Sequence, residues 1–346
     1  MLSKKYKKIL KWLLFIILFT ILLFVIAVVC VYLYRKALEQ STVNLFTEDK
    51  NYKHQLVIPV EIADSTYYFL YDTGCTDSFI DSDLINRLNL DIQSDKIHKN
   101  FSGTHKEITD SFNVVNIRSK LGEMMHTNYF FYNEKNIFYV LDPDIDPRIK
   151  GIIGQNIISC FYWLFDFRKS KALISKKPID LDYETEQDIL SFQFEILPSS
   201  GIPVINLVIN NQDTTEFYFD TGFRISAKLD ELKFFPSWVM NNDEIIFSEQ
   251  KKESMVNNIC IKDGLRKITI CDSIYVNKFQ LYNMSFMNEN LYKKSNYITT
   301  NLIFQFEKMY YNPKDREISL INYRNRINPI GEENKIRDYV ESLGNK

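Results

Sequence analysis

The tripeptide Asp-Thr-Gly occurs twice in this chain, each time at the end of an apolar run. The runs are Phe69-Leu70-Tyr71-Asp72-Thr73-Gly74 and Phe217-Tyr218-Phe219-Asp220-Thr221-Gly222. One such aspartate after a strand is ordinarily a turn residue or a helix cap. Two copies in the same context, 148 positions apart, need a common cause. Each follows a hairpin pattern. "LVIPVEI" (56–62), a turn at Ala63-Asp64-Ser65 and "YYFLY" (67–71) lead to Asp72; "PVINLVI" (203–209), a turn at 210–213 and "EFYF" (216–219) lead to Asp220. Alternating or continuous apolar runs bounded by Asn, Asp and Ser predict strands.

The parallel extends downstream. Ser78 and Ser226 follow the two glycines by four residues, and helix-like stretches come next at 82–90 and 228–235. Strand patterns at 112–117 and 126–133 answer those at 267–276 and 280–286. Each copy closes on a related run, "GIIGQNIISCFYWLFDF" (151–167) or "NYITTNLIFQFEKMYYN" (296–312), which aligns Asn156 with Asn301 and Phe161 with Phe306. The chain is therefore read as an internal duplication. It predicts a first lobe at 51–178, an acidic linker at 179–195, a second lobe at 196–325 and a tail at 326–346 whose residues 332–343 read as an amphipathic helix. A chain of 346 residues with 45% apolar content can fill two modest cores.

Ahead of the lobes, residues 12–34 form an uncharged apolar run long enough to cross a bilayer. Residues 1–11 carry Lys4, Lys5, Lys7, Lys8 and Lys11, whereas only Arg35 and Lys36 follow closely. That imbalance predicts a single-pass signal anchor with a cytoplasmic N-terminus and the lobes on the outer, periplasmic or extracellular side. A cleaved signal peptide is the alternative; the run is long and no A-x-A site follows it. Residues 35–50 read as a polar linker. Cys75, Cys160, Cys260 and Cys271 are scattered and read as free thiols rather than a disulfide framework. No ligand spacing for a metal occurs among the four histidines and five cysteines, so neither metal nor cofactor is expected. A net charge of −2 argues against nucleic-acid binding.

The stretch "FLYDTGC" with "GIIGQN" downstream, in a chain that repeats the first motif, resembles the retropepsin and pepsin-type aspartic proteases. The layout of an apolar anchor and two lobes resembles bacterial membrane-anchored aspartyl proteases. The resemblance implies a mainly β, bilobal acid-protease fold behind an N-terminal transmembrane helix, and an aspartic endopeptidase with its cleft between the lobes. It makes Asp72 and Asp220 the catalytic pair and Thr73, Gly74, Thr221 and Gly222 the support of their loops. Two carboxyls a few Å apart hold one proton between them, so one activates water while the other acts as acid. The substrate would be a polypeptide held extended, and a monomer would suffice because both loops lie in one chain. The flap that such proteases fold over the cleft has its best turn signals at Ser102-Gly103-Thr104 and Asp263-Gly264. Three positions depart from the pattern. Cys75 and Phe223 stand where Ser, Thr or Ala is usual, and Thr299 or Thr300 stands where the first lobe has Gly154. Without hydroxyl donors after Asp-Thr-Gly, the pair is expected to keep its shared proton to higher pH. The competing reading is a membrane-anchored peptide-binding module without turnover, which would hold an extended strand in the same cleft.

Overall fold

A computed structural model describes residues 4–45, 56–90, 93–101, 108–133, 147–181, 188–198, 201–208, 214–222, 227–229, 244–246, 254–256, 259–261, 267–277, 279–288, 296–298 and 300–323. The tail at 326–346, Phe223, Ser226, Thr299 and both expected flap turns lie outside these residues.

Helix α1 (Lys4–Glu39) takes in the whole apolar run. Residues 15–32 are exposed along their length and have a mean hydropathy of 3.2, sufficient for a membrane span. Strand β1 (Gln40–Asn44) follows without a break. Residues 35–50 are thus not a linker over their described part: 35–39 prolong the helix and 40–44 form a strand. The sequence signal is short because QSTVN turns Ser41 and Val43 inward and offers only one apolar residue to periodicity.

In the first lobe, β2 (Val57–Ile62) and β3 (Ser65–Tyr71) form the expected hairpin. Its turn residues Ala63 and Asp64 both adopt left-handed conformations, with φ of 49° and 58°. Next come β4 (Phe79–Ile80) and α2 (Ser82–Leu88), which is capped by the Asp81 carboxylate accepting the Asp83 N–H at 2.8 Å. Asn89, at φ 48°, ends that helix. Strands β5 (Gln93–Phe101), β6 (Ile108–Leu121), β7 (Met124–Tyr132) and β8 (Ile149–Ile153) complete a sheet ordered β2-β3-β8-β4-β7-β6-β5. A further pairing of β2 with β6 curls the sheet on itself around Phe69, Val115, Phe130 and Ile153. A short helix α3 (Gln155–Ile158) then leads to β9 (Tyr162–Asp166) and β10 (Lys171–Ser175).

The second lobe repeats this plan. It comprises β11 (Leu190–Ile196), β12 (Pro203–Val208), β13 (Thr214–Phe219), β14 (Ala227–Leu229), β15 (Glu244–Ile246), β16 (Ser254–Val256), β17 (Ile259–Ile261), β18 (Lys267–Val276), β19 (Phe279–Asn288), β20 (Asn296–Ile298), α4 (Thr300–Ile303), β21 (Phe306–Asn312) and β22 (Glu317–Tyr323). Residues 190–195, assigned from sequence to the linker, belong to β11; Leu190, Phe192 and Phe194 alternate inward, so the acidic segment ends earlier. Lys228 and Leu229 are strand rather than the start of a helix. Strand β14 pairs parallel with β19 and antiparallel with β20, as β4 pairs with β7 and β8, and is the counterpart of β4.

The lobes share one sheet, ordered β1-β10-β9-β21-β22-β11. At its centre β9 and β21 run antiparallel, with Trp163 opposite Tyr311 and Phe165 opposite Met309, all fully buried. The ring of Tyr71 stands edge-on to Trp163 and Phe165, at 4.9 Å from each centroid. Large aromatic groups buried in this way supply much of a core's stabilisation. The residue just before Asp72 is thereby seated on the layer that joins the lobes. The fold is the mainly β, two-lobed architecture read from the duplication.

Candidate active site

Strand β3 ends at Tyr71 and runs parallel to β8, whose Ile153 carbonyl accepts the Asp72 N–H at 3.0 Å. Strand β13 ends at Phe219 and runs parallel to β20, whose Ile298 carbonyl accepts the Asp220 N–H at 2.9 Å. Two equivalent strand pairs thus deliver the two aspartates, and the structure brings them together on the floor between the lobes. Both are partly open to solvent there.

The loops interlock. Thr73 N–H donates to Thr221 Oγ1 at 3.0 Å and Thr221 N–H donates to Thr73 Oγ1 at 3.0 Å. Each hydroxyl in turn donates across the interface, Thr73 to the Phe219 carbonyl at 2.7 Å and Thr221 to the Tyr71 carbonyl at 2.8 Å. Both threonines are fully buried, and in an enclosed site four such bonds fix register as well as adding stability. Each loop also folds onto its own carboxylate: Gly74 N–H donates to Asp72 Oδ1 at 2.8 Å and Gly222 N–H to Asp220 Oδ1 at 2.9 Å.

The glycines make the pairing of the carboxyls possible. A Cβ on Gly74 would strike the Asp220 carboxyl, and a Cβ on Gly222 would strike the Asp72 carboxyl. Each carboxyl therefore sits over the backbone of the opposite loop, where no side chain other than hydrogen fits. The crossed fit brings the two carboxyls close enough to interact. The Asp72 pKa is raised well above the usual carboxylate range. Enclosure by the loops is the main cause and the Asp220 charge the second, while the Gly74 and Gly222 amides pull the other way.

A second ring of bonds holds the first loop. Gly154 N–H donates to Ser78 Oγ at 2.9 Å, and Ser78 Oγ donates to Asn156 Oδ1 at 2.7 Å. Asn156 Nδ2 donates to the Tyr129 carbonyl at 3.0 Å. A Cβ on Gly154 would meet the Asp77 backbone, so Ser78 is a local hydrogen-bonding residue and Gly154 a close-packing position. Gln155 lies within the GIIGQN stretch but has no role legible from sequence; its Nε2 donates to the Thr73 carbonyl at 2.9 Å and its Oε1 accepts Tyr311 OH at 3.3 Å. The GIIGQN stretch and the repeat of Asn156 at Asn301 marked this segment in the sequence, without pointing to the carboxamide itself. In the second lobe α4 opens with Thr300 at the place of Gln155, which leaves residue 299 opposite Gly154.

Cys75 is buried and its Sγ lies 3.1 Å from the Asp77 carbonyl, to which it donates. Burial pushes the thiol pKa up, with the charges of Asp72 and Asp77 adding to it. Cys160 is a free thiol too, but exposed rather than buried. Cys260 lies opposite Met255 on β17 and Cys271 opposite Met284 on β18, in different sheets. Among the described residues no group of His, Cys, Asp and Glu is arranged to hold a metal ion.

Residues 58–157, the heart of the first lobe, match the family model for aspartyl proteases. In structure the chain resembles basic 7S globulin from soybean, at 8% identity and a TM-score of 0.50, with 83% of this chain and 96% of that one covered. That likeness spans both lobes and fixes the fold as pepsin-like. No curated protein sequence matches the chain.

Proposed function

We propose that the protein is a membrane-anchored aspartic endopeptidase in which Asp72 and Asp220 act as one acid–base unit. The observation that carries this reading is the crossed fit of the loops, in which each glycine leaves room for the opposite carboxyl. Two carboxyls held so closely cannot both ionise, so one proton is shared between them. A water between them loses a proton to the ionised partner as it attacks the peptide carbonyl, and the protonated partner hydrogen-bonds the carbonyl oxygen. The tetrahedral species then collapses with proton transfer to the leaving nitrogen. Proton exchange within the pair restores the starting state without a covalent enzyme intermediate. Thr73 and Thr221 hold the geometry, and Gly74 and Gly222 donate amide hydrogens to the carboxylates. The substrate is an extended polypeptide, one chain supplies the whole site, and α1 anchors it with the lobes on the outer side.

The raised Asp72 pKa supports activity that persists toward neutral pH. The proton stays on the pair to higher pH, and the rate falls as pH rises through the upper apparent pKa of the pair. Incubating the full-length protein in detergent with a diverse peptide mixture tests the proposal. Turnover should be blocked by a transition-state-mimicking aspartic protease inhibitor and should be proportional to protein concentration. Asp72→Asn and Asp220→Asn should each lower kcat by at least about a thousandfold with unchanged circular dichroism. Near-normal turnover in either variant would exclude the shared-proton mechanism. Peptide binding without turnover in the parent would point instead to a binding module.

A further inference from the structure

The apolar helix runs straight into the sheet that joins the lobes. Glu39 is the last residue of α1 and Gln40 the first of β1. The junction is fastened from several sides. Lys176 N–H donates to the Glu39 carbonyl at 2.8 Å, and Lys177 Nζ lies 2.8 Å from the Glu39 carboxylate. The Lys177 pair is exposed and adds little by itself, so the backbone bond and the β1–β10 ladder hold the junction. On the other side Ser41 Oγ accepts the Glu123 N–H at 2.8 Å, and Gly122, at φ 61°, leaves no room for a Cβ beside Ser41 and Val43. From residue 15 to 32 the helix buries nothing against the lobes, so it leaves the domain rather than lying along it.

We propose that this junction holds the cleft at a fixed, short height above the bilayer. The protein then acts on polypeptides anchored in the same membrane, at bonds close to its surface. The inference rests on the protease reading and on α1 spanning the membrane.

The height follows from the elements. Tyr34 is the last residue of the apolar run, and five helical residues from it to Glu39 rise roughly 8 Å. Helix α1 contacts β7, which starts at Met124, and Glu123 just before it bonds Ser41 of β1. Five steps along that strand, from Met124 to Tyr129, cover roughly 17 Å. The Tyr129 hydroxyl donates to Asp77 at 3.3 Å, and Asp77 belongs to the loop that carries Asp72. With the length of the phenol and the hydrogen bond, the path from the hydrocarbon edge to Asp77 is roughly 35 Å, which an extended chain covers in about eleven residues. A flexible connection of about 15 residues would add a reach of roughly 20 Å in any direction and remove the constraint. The direct helix-to-strand passage does not. Allowing for the part of the substrate lying in the cleft, a cut bond within about 15 residues of the substrate's own membrane span is in reach.

The test uses the full-length protein in liposomes and a peptide sequence that it cleaves in solution. That sequence is placed in single-span polypeptides, either about 10 residues from the span or raised on a rigid helical spacer of about 40 residues, roughly 60 Å. The near site should be cut at least about tenfold faster, because a site the tether cannot span has an effective concentration near zero. Inserting the same spacer into the protein between Lys36 and Ala37, which leaves the Glu39 and β1 contacts in place, should reverse the preference. Cleavage of the free peptide should stay the same. Equal rates at both heights, or a preference that the insertion does not move, would overturn the fixed-height inference while leaving the protease reading intact. Failure to cleave even the free peptide would instead overturn the protease reading, and this inference with it.

Discussion

At the scale of single residues, the most demanding positions are the two glycines. Neither needs an unusual φ; each is glycine because the opposite carboxyl occupies the space of a Cβ. Gly74→Ala should therefore displace Asp220, and Gly222→Ala should displace Asp72. A shift of about 1 Å in a reacting group costs on the order of a hundredfold in rate. Each variant is expected to lose at least that in kcat/KM while still folding, as judged by near-ultraviolet circular dichroism, and full activity in either would refute the crossed arrangement. His126 makes a prediction of a different kind. It is largely enclosed, its ring stands edge-on to Phe161 at 5.7 Å, and its Nε2 lies 3.1 Å from Ser119 Oγ. Burial, helped by the charge of Lys176, lowers its pKa to about 4. The unfolded chain takes up a proton at about 6.5 and the folded one does not, so stability falls as pH drops from about 6.5 toward 4. The full loss is up to about 3 kcal/mol. In His126→Gln, urea midpoints between pH 7 and 4 should fall less steeply than in the parent; parallel curves would show that the ring titrates freely.

At the scale of elements, what the sequence disclosed was what it repeated. The hairpins before Asp72 and Asp220 are apolar runs bounded by turn residues and occur twice, and β18 coincides with the strand pattern at 267–276. Elements with few apolar residues escaped. Strand β1 shows periodicity only through Val43, and β14 is too short to have a period at all, so both were absorbed into neighbouring patterns. The role of Gln155, which lies in the GIIGQN stretch, escaped for another reason: a carboxamide between a backbone carbonyl and a tyrosine leaves no spacing signature, and its two partners lie 82 and 156 positions away. The β1 correction has a practical consequence. A soluble form starting at residue 45 would remove the strand that covers the β10 edge, with buried Val43. It should be less stable than one starting at residue 38 by about 2–4 kcal/mol, from the lost side-chain burial and ladder bonds. It should also aggregate through the bared edge. Thermal melts and light scattering of the two forms side by side would show this, and equal melting temperatures would mean that β1 adds nothing to the shared sheet.

At the scale of the molecule, the proposed acid–base unit is half of one lobe and half of the other, and its alignment depends on the sheet beneath. Trp163 is the residue where these dependencies meet. Its indole lies opposite Tyr311 of the second lobe, stacks on Phe165 at 6.0 Å, meets the Tyr71 ring edge-on and donates Nε1–H to the Ile158 carbonyl at 2.9 Å. Tyr71 in turn gives its carbonyl to Thr221, so the packing under Trp163 reaches the loop of the opposite lobe in two steps. Removing the indole should leave a cavity between the lobes rather than inside one. Trp163→Ala is expected to cost about 3–5 kcal/mol, typical of a fully buried Trp, and to lower the midpoint of both lobes together. Because the cavity lies under both loops, kcat should fall by more than KM rises even at temperatures where the variant is fully folded. Trp163→Phe, which keeps an aromatic ring against Tyr71 and loses the Nε1–H bond, should recover most of the rate but not all of the stability. Hydrogen exchange resolved by peptide supplies the check: a loss of protection confined to the first lobe, with unchanged kcat, would mean that the two halves of the site are aligned by the threonine bonds alone and not by the sheet they share.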